Sequence, residues 1–174
     1  MKKKIIITGG LGYIGTELCK IYSGVSWHHK IFVIDNRFIS ERVNQIRNWN
    51  MEFIQGDILD KNLINKYFKD ADVVHHLAGI TDVPRTKSAS NSSHDNKIRE
   101  VAEKGTQNIL EVINNKCKII FPSTHVVYEG IDTIKKNIEE NEVTKPVLSY
   151  SSSKAVNEDQ LKKSGKNYII LRLG

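Results

Sequence analysis

Cysteine is scarce in this 174-residue chain, aromatic residues are few, and there is neither an acidic excess nor a long apolar run. Each scarcity removes a class of protein. Cys19 and Cys117 have no partner at metal-ligand spacing, so no metal is expected and buried free thiols are the reading they support. Apolar residues make up 39% of the chain. Their longest uninterrupted runs are strand-sized, whereas a membrane span needs ~20 apolar residues. The basic start Met1-Lys2-Lys3-Lys4 is followed only by Ile5 to Ile7, too short for the core of a signal peptide. A cytoplasmic protein without a membrane partner is therefore expected. The net charge is +6, from 26 Lys+Arg against 20 Asp+Glu. The lysines are scattered through helix and turn positions without interleaved aromatics or a basic tract. That pattern favours a solvated surface over a nucleic-acid partner. No repeat or low-complexity tract is present, and the length suits one domain with a sizeable core.

What is present is concentrated first in Ile5 to Gly15, Ile-Ile-Ile-Thr-Gly-Gly-Leu-Gly-Tyr-Ile-Gly. Three β-branched residues read as a strand buried on both faces. Thr8, Gly9 and Gly10 turn the chain, and a helix can begin at Tyr13. The glycines fit Gly10-x-Gly12-x-x-Gly15 or Gly9-x-x-Gly12-x-x-Gly15. Either spacing lets a diphosphate approach bare backbone at a helix start, whose free N–H groups and positive dipole end favour anions. A glycine turn alone also marks ordinary bends. A strand before it, a helix after it and Asp35, at the end of Lys30-Ile31-Phe32-Val33-Ile34, make it a dinucleotide fingerprint.

Strand-like runs recur at Ile5–Thr8, Lys30–Asp35, Glu52–Gln55, Val73–Leu77, Cys117–Pro122 and Tyr168–Leu173. Helical composition fills Tyr13–Ser23, Arg42–Asn48, Lys61–Lys69, Ser92–Asn115 and Tyr150–Lys163. This alternation predicts an α/β fold, a doubly wound parallel sheet of the Rossmann type, with its ligand at the carboxyl ends of the strands. The irregular stretches 81–93 and 129–149 follow strands, where such folds keep functional loops.

The strand ends supply the chemistry. Asp35 can accept hydrogen bonds from the adenosine ribose and would repel a 2′-phosphate, favouring NAD over NADP, although Arg37 weakens that preference. A turn aspartate before Asn36 would be a plausible reading alone but is a poor one beside the glycine loop. Asp57, in Gly56-Asp57-Ile58, can accept from an adenine amino group or serve turn chemistry alone. Asp60 caps the next helix. Leu77, Ala78 and Gly79 let a cofactor lie against backbone. His75 and His76 point to opposite faces of a strand and cannot share a metal, which leaves core or cleft roles. Ser123 and Thr124 end the fifth strand where substrate would lie. Tyr150 and Lys154 stand at i and i+4 on one helix face. An ammonium in reach of a phenol favours phenolate and lowers its pKa, giving a base near neutral pH.

Together, Thr8-Gly9-Gly10-Leu11-Gly12-Tyr13-Ile14-Gly15, Asp35-Asn36, Gly56-Asp57-Ile58, His76-Leu77-Ala78-Gly79, Ser123-Thr124 and Tyr150-x-x-x-Lys154 resemble the extended short-chain dehydrogenase/reductases. The resemblance is strongest to the NAD-dependent nucleotide-sugar epimerases and covers essentially the whole chain. It implies NAD held by Gly9, Gly12, Tyr13, Ile14, Gly15, Asp35, Asn36, Asp57, Ile58, Leu77, Ala78, Gly79, Tyr150 and Lys154. It also implies a catalytic set of Thr124, Tyr150 and Lys154, with Tyr150 as base, Lys154 on the nicotinamide ribose and Thr124 on the reacting hydroxyl. The substrate would be a nucleotide-sugar.

The chain departs from that family in several places. Ala102 stands where an asparagine usually orders the strand end. Thr124-His125-Val126 lacks the acid pair of the sugar 4,6-dehydratases. Gly130 comes one place later than in epimerases, as in the nucleotide-sugar 4-keto reductases, so a reductase is the second reading. A protein that binds NAD(H) without turnover is a third. The usual C-terminal substrate portion does not follow Ile169 to Gly174, so residues 1–174 are expected to be the NAD-binding domain of a longer enzyme, inactive alone. Family members often dimerise through two helices. Here Ile98, Val101, Ala102, Gly105, Ile109, Val112 and Ile113 make one stripe with Leu110 apart, and the last helix offers only Ala155, Val156 and Leu161. A weak dimer or monomer is the expectation.

Overall fold

The computed structural model describes residues 2–81, 92–132 and 137–174. Six parallel strands form one sheet: β1 (Lys4–Thr8), β2 (Lys30–Asp35), β3 (Glu52–Gln55), β4 (Val73–His76), β5 (Lys118–Thr124) and β6 (Asn167–Leu173). Their order is β3-β2-β1-β4-β5-β6, so the winding reverses between β1 and β4. Among the described residues five α-helices connect or flank them: α1 (Tyr13–Ser23), α2 (Ser40–Asn48), α3 (Lys61–Phe68), α4 (Ser92–Val112) and α5 (Ser149–Lys163). The doubly wound sheet expected from the alternation is what forms.

β1 shows why its composition dictates its place. Ile5 and Ile7 pack with Leu11, Cys19, Val43 and Ile46 on the side of α1 and α2. Ile6 points the other way, into a second core with Ile64, Phe68, Ile109 and Leu161 from α3, α4 and α5. A strand covered on both faces needs an unbroken apolar run rather than alternation. Burying each such side chain contributes about 1.5–3 kcal/mol.

Two details of the helices differ from the sequence expectation. Leu110 is not set apart; it is 5% exposed and belongs to the core that holds Ile109 and Ile113. The buried arc of α4 is wide because the helix packs on the sheet and between α3 and α5. In α5 the buried face is polar: Ser151, Ser153, Asn157 and Glu158 lie inside with Leu161, while Val156 is exposed. The Asn157 Nδ2 donates to Ala102 O at 3.0 Å and the Gln160 Nε2 to Glu103 O at 3.0 Å, so hydrogen bonds join α5 to α4. Both cysteines are free and buried, and burial pushes the Cys19 thiol up to about 12 and Cys117 to about 11. The stretch 81–93 lies almost wholly outside the described residues. No described helix is long and apolar enough to cross a membrane, and no described residues cluster as metal ligands.

Candidate dinucleotide and substrate cleft

The carboxyl ends of β1, β2, β4 and β5 open into a cleft of about 820 Å³. Every residue expected to hold the dinucleotide or act in catalysis lines it. Gly9, Gly12, Tyr13, Ile14 and Gly15 form one wall; Asp35, Asn36, Asp57 and Ile58 lie to one side, and Leu77, Ala78, Gly79, Thr124, Tyr150 and Lys154 to the other.

The glycine turn is built for close approach. Gly9 has φ +65°, and a Cβ there would lie 2.8 Å from the Ala78 backbone. A Cβ on Gly15 would lie 2.5 Å from Gly9 O, so the helix meets the turn only without a side chain. The N-terminus of α1 has no side-chain cap and no acid in its first turn. Its first N–H groups therefore face the cleft without an intrahelical partner, the arrangement that suits a diphosphate.

Asp35 is buried and holds the turn from below. Its Oδ2 accepts from Leu11 N at 3.0 Å, and its Oδ1 from Arg37 N at 3.0 Å. Arg37 folds back onto the same carboxylate, with Nε 3.1 Å from Oδ1 and Nη2 3.3 Å from Oδ2. Asn36 Nδ2 donates to Asp57 Oδ2 at 3.3 Å, and Asp57 Oδ1 also accepts from Leu59 N at 3.0 Å. Asp57 thus braces the loop after β3 and lines the cleft as well.

Beneath the cleft the two histidines separate to opposite faces, as their adjacency requires. His75 Nε2 meets the Tyr22 hydroxyl of α1 at 2.8 Å, and burial lowers its pKa to about 4. His76 lies between Thr8 and Thr106, with Nδ1 3.0 Å from one hydroxyl and Nε2 3.0 Å from the other. Thr8 Oγ1 also accepts from Ala78 N at 3.1 Å. The hydroxyl can therefore turn its own proton to Nδ1, which puts the ring proton on Nε2. Burial, with a lesser push from the Lys154 charge, lowers His76 to about 3. Both are core histidines that support the turn.

On the substrate side, Thr124 Oγ1 accepts from Val126 N at 3.2 Å and starts the 3-10 turn His125–Tyr128. Ser123 is committed elsewhere, donating to Glu158 Oε1 at 2.6 Å. Lys154 Nζ donates to Pro122 O at 2.9 Å and lies 5.8 Å from the Tyr150 ring centroid. The ammonium does not lower the phenol as the spacing led one to expect. Burial raises the Tyr150 pKa above its ordinary value of 10, and burial lowers Lys154 to about 8. The lysine spends a hydrogen bond on β5, and desolvation acts on both groups.

Three contributors were not singled out from sequence as site residues. Arg42, which donates to Leu11 O, and Lys97 line the cleft. Glu129 holds the start of α5, its Oε1 accepting from Val147 N and Leu148 N at 2.8 Å each and from the Ser151 hydroxyl. Its place just after Val-Val-Tyr was the available signal.

A cleft at the point where strand order reverses, fronted by a bare glycine turn, defines a dinucleotide-binding domain of the doubly wound α/β class. Within that class the assignment narrows: residues 5–174 match the NAD dependent epimerase/dehydratase family, and the chain belongs to it. It is 35% identical over 153 residues to the CDP-paratose 2-epimerase of Salmonella typhi, covering 81% of this chain and 42% of that protein. It is 31% identical over 170 residues to a dTDP-D-glucose 4,6-dehydratase of Dictyostelium discoideum, covering 88% and 38%. The Bordetella bronchiseptica enzyme WbmH, solved in complex with NAD+, superposes with a TM-score of 0.82 at 26% identity over 100% of this chain and 57% of its own. The chain thus spans about two-fifths to a half of the curated relatives it matches.

Proposed function

We propose that residues 1–174 are the NAD-binding domain of a nucleotide-sugar epimerase that works in the cytoplasm, without nucleic-acid or membrane partners. The observation that carries this reading is the meeting of Thr124, Tyr150 and Lys154 in the same cleft as the glycine turn and Asp35. The glycine cradle and the uncapped α1 terminus fit a dinucleotide diphosphate, Asp35 fits the adenosine ribose, and Lys154 fits the nicotinamide ribose. Bound there, NAD would supply the hydride acceptor and donor.

The chain's own part is proton handling and placement. Tyr150 Oη would take the proton of the sugar hydroxyl as its carbon is oxidised, and return it after the keto-sugar has turned over. The Lys154 ammonium, now on Pro122 O, would hold the nicotinamide ribose. Thr124 would donate to the same sugar oxygen. At Ala102, where the family asparagine is missing, the backbone carbonyl accepts from Asn157 Nδ2, which ties α4 to α5 and not to a strand end.

A nucleotide-sugar reductase is the second reading, favoured by the position of Gly130, whose N donates to Lys145 O at 2.9 Å. A 4,6-dehydratase is less well served. His125 Nδ1 is paired with Leu173 O at 3.1 Å, and Val126 has no acid to offer.

Calorimetric titration with NADH, on the wild type and on Gly15→Ala, tests the cofactor assignment; equal binding by both would refute it. Interconversion of UDP-glucose and UDP-galactose by the product of the whole gene, with Tyr150→Phe as control, tests the chemistry. Activity retained by that variant would overturn Tyr150 as base.

A further inference from the structure

The Asp35 carboxylate has about four lone-pair sites, and in this structure four donors meet it. Arg37 N and Nε lie on Oδ1, and Leu11 N and Arg37 Nη2 on Oδ2, between 3.0 and 3.3 Å. Two of the four belong to one guanidinium, which is half exposed and can leave. An adenosine ribose can therefore bond Asp35 only by displacing Arg37. The guanidinium also reaches over the glycine turn, its Nη2 lying 3.9 Å from where a Gly12 Cβ would be. Arg42 comes to the same corner from α2 and donates to Leu11 O. Asp57 also lines this wall and accepts from Asn36 Nδ2 at 3.3 Å. One guanidinium thus pairs with the Asp35 carboxylate, and a second cation stands at Leu11 beside it.

We propose that Arg37 and Arg42 form a seat for a 2′-phosphate, and that this chain accepts NADP(H) alongside NAD(H). This rests on dinucleotide binding at the cleft. A lone aspartate at the second strand end repels the extra phosphate, whereas an arginine beside it accommodates one. Here the arginine does both tasks: it cancels the repelling charge and presents forked donors to the phosphate. With NADH the same side chain competes with the ribose hydroxyls for Asp35.

The test is calorimetric titration of the wild type, Arg37→Ala and Arg42→Ala with NADH and with NADPH at low salt. The wild type is expected to bind the two within about tenfold of each other. Arg37→Ala should weaken NADPH about tenfold while leaving NADH unchanged or tighter, and Arg42→Ala, which also frees Leu11 O in the glycine turn, should weaken both nucleotides, NADPH by the larger factor. Because Arg37 is a surface side chain, loss of fold is not expected, and circular dichroism of each variant checks it. A wild type that rejects NADPH by a hundredfold, or an Arg37→Ala variant with the wild-type ratio, would overturn the proposal. Absence of binding by either nucleotide to the wild type would instead refute the cofactor reading beneath it, and this proposal with it.

Discussion

Glu158 on α5 and Arg172 on β6 form a forked ion pair, with Nε 2.9 Å from Oε1 and Nη2 2.6 Å from Oε2. Ser123 at the end of β5 donates to the same Oε1. One carboxylate thus ties the helix carrying Tyr150 to two strands. Its side chain is 2% exposed and that of Arg172 is 12% exposed. Breaking one partner of a buried pair costs about 3–5 kcal/mol, because the other is left charged and dry. Glu158→Gln should therefore lower the melting temperature by about 6–20 °C, and Arg172→Met by a similar amount. The double variant should recover part of the loss, as measured by a thermal double-mutant cycle.

The same pair sets a pH dependence. Burial pushes Glu158 up, but the bonds from Arg172 and Ser123 outweigh it and hold the carboxyl below its ordinary value. A depressed carboxylate stabilises the fold above its unfolded pKa, about 4.3, and that contribution is lost as pH falls through the lower folded value. Melting curves from pH 5 down to 3 should therefore fall more steeply for the wild type than for Glu158→Gln.

The histidines act at higher pH. His75 and His76 are held neutral, at about 4 and about 3, while in the unfolded chain they take up protons near pH 6.5. Between 6.5 and 4 the unfolded state binds more protons, so stability drops as pH falls. His76→Gln keeps hydrogen-bonding capacity toward Thr8 and Thr106 and should flatten that slope, while lowering stability at pH 8 through poorer packing. A slope unchanged by the substitution would show that His76 is not buried neutral.

Much of this arrangement could be read from the residues, and the rest could not for definite reasons. Ile5 to Ile7, the glycine turn and Asp35 are consecutive or locally spaced, so period and turn chemistry reveal them. The buried face of α5 escaped because Ser151, Ser153, Asn157 and Glu158 carry a polar pattern that reads as solvated. Their burial depends on partners 22 to 55 residues away, such as Ser123, Glu129 and the Ala102 carbonyl. The Tyr150–Lys154 spacing was legible, but the direction of the phenol's shift was not, since desolvation depends on what packs around the ring.

Glu129 illustrates such a partner. Leu148, at the N-cap of α5, offers no side-chain oxygen, and the Glu129 carboxylate instead anchors the chain entering the helix, accepting from Val147 N and Leu148 N at 2.8 Å each and from the Ser151 hydroxyl. Glu129→Ala should cost about 1 kcal/mol, in line with the net loss of a hydrogen-bond acceptor. For a domain of this size that is a drop of about 2–4 °C. Glu129→Gln, which keeps an accepting oxygen, should recover part of it. If α5 is positioned by this anchor, NADH affinity should weaken in the alanine variant at temperatures where it remains folded.

Lys154 has the pKa that matters for binding near neutrality. Burial brings it to about 8, whereas Tyr150 is raised above 10 and His76 lies at about 3. A fall in NADH affinity between pH 7 and 9 therefore traces to the loss of one charge, that of Lys154, and not to the phenol or the imidazole. The wild type should hold NADH evenly below pH 7.5 and lose affinity above 8, by up to tenfold per pH unit once the neutral amine predominates. Lys154→Met should bind more weakly with no such slope, because its thioether carries no proton to lose. A wild-type profile flat to pH 9.5 would mean that the ammonium contributes nothing to holding the nucleotide. Its bond to Pro122 O would then be its whole task, bracing the end of β5 from below.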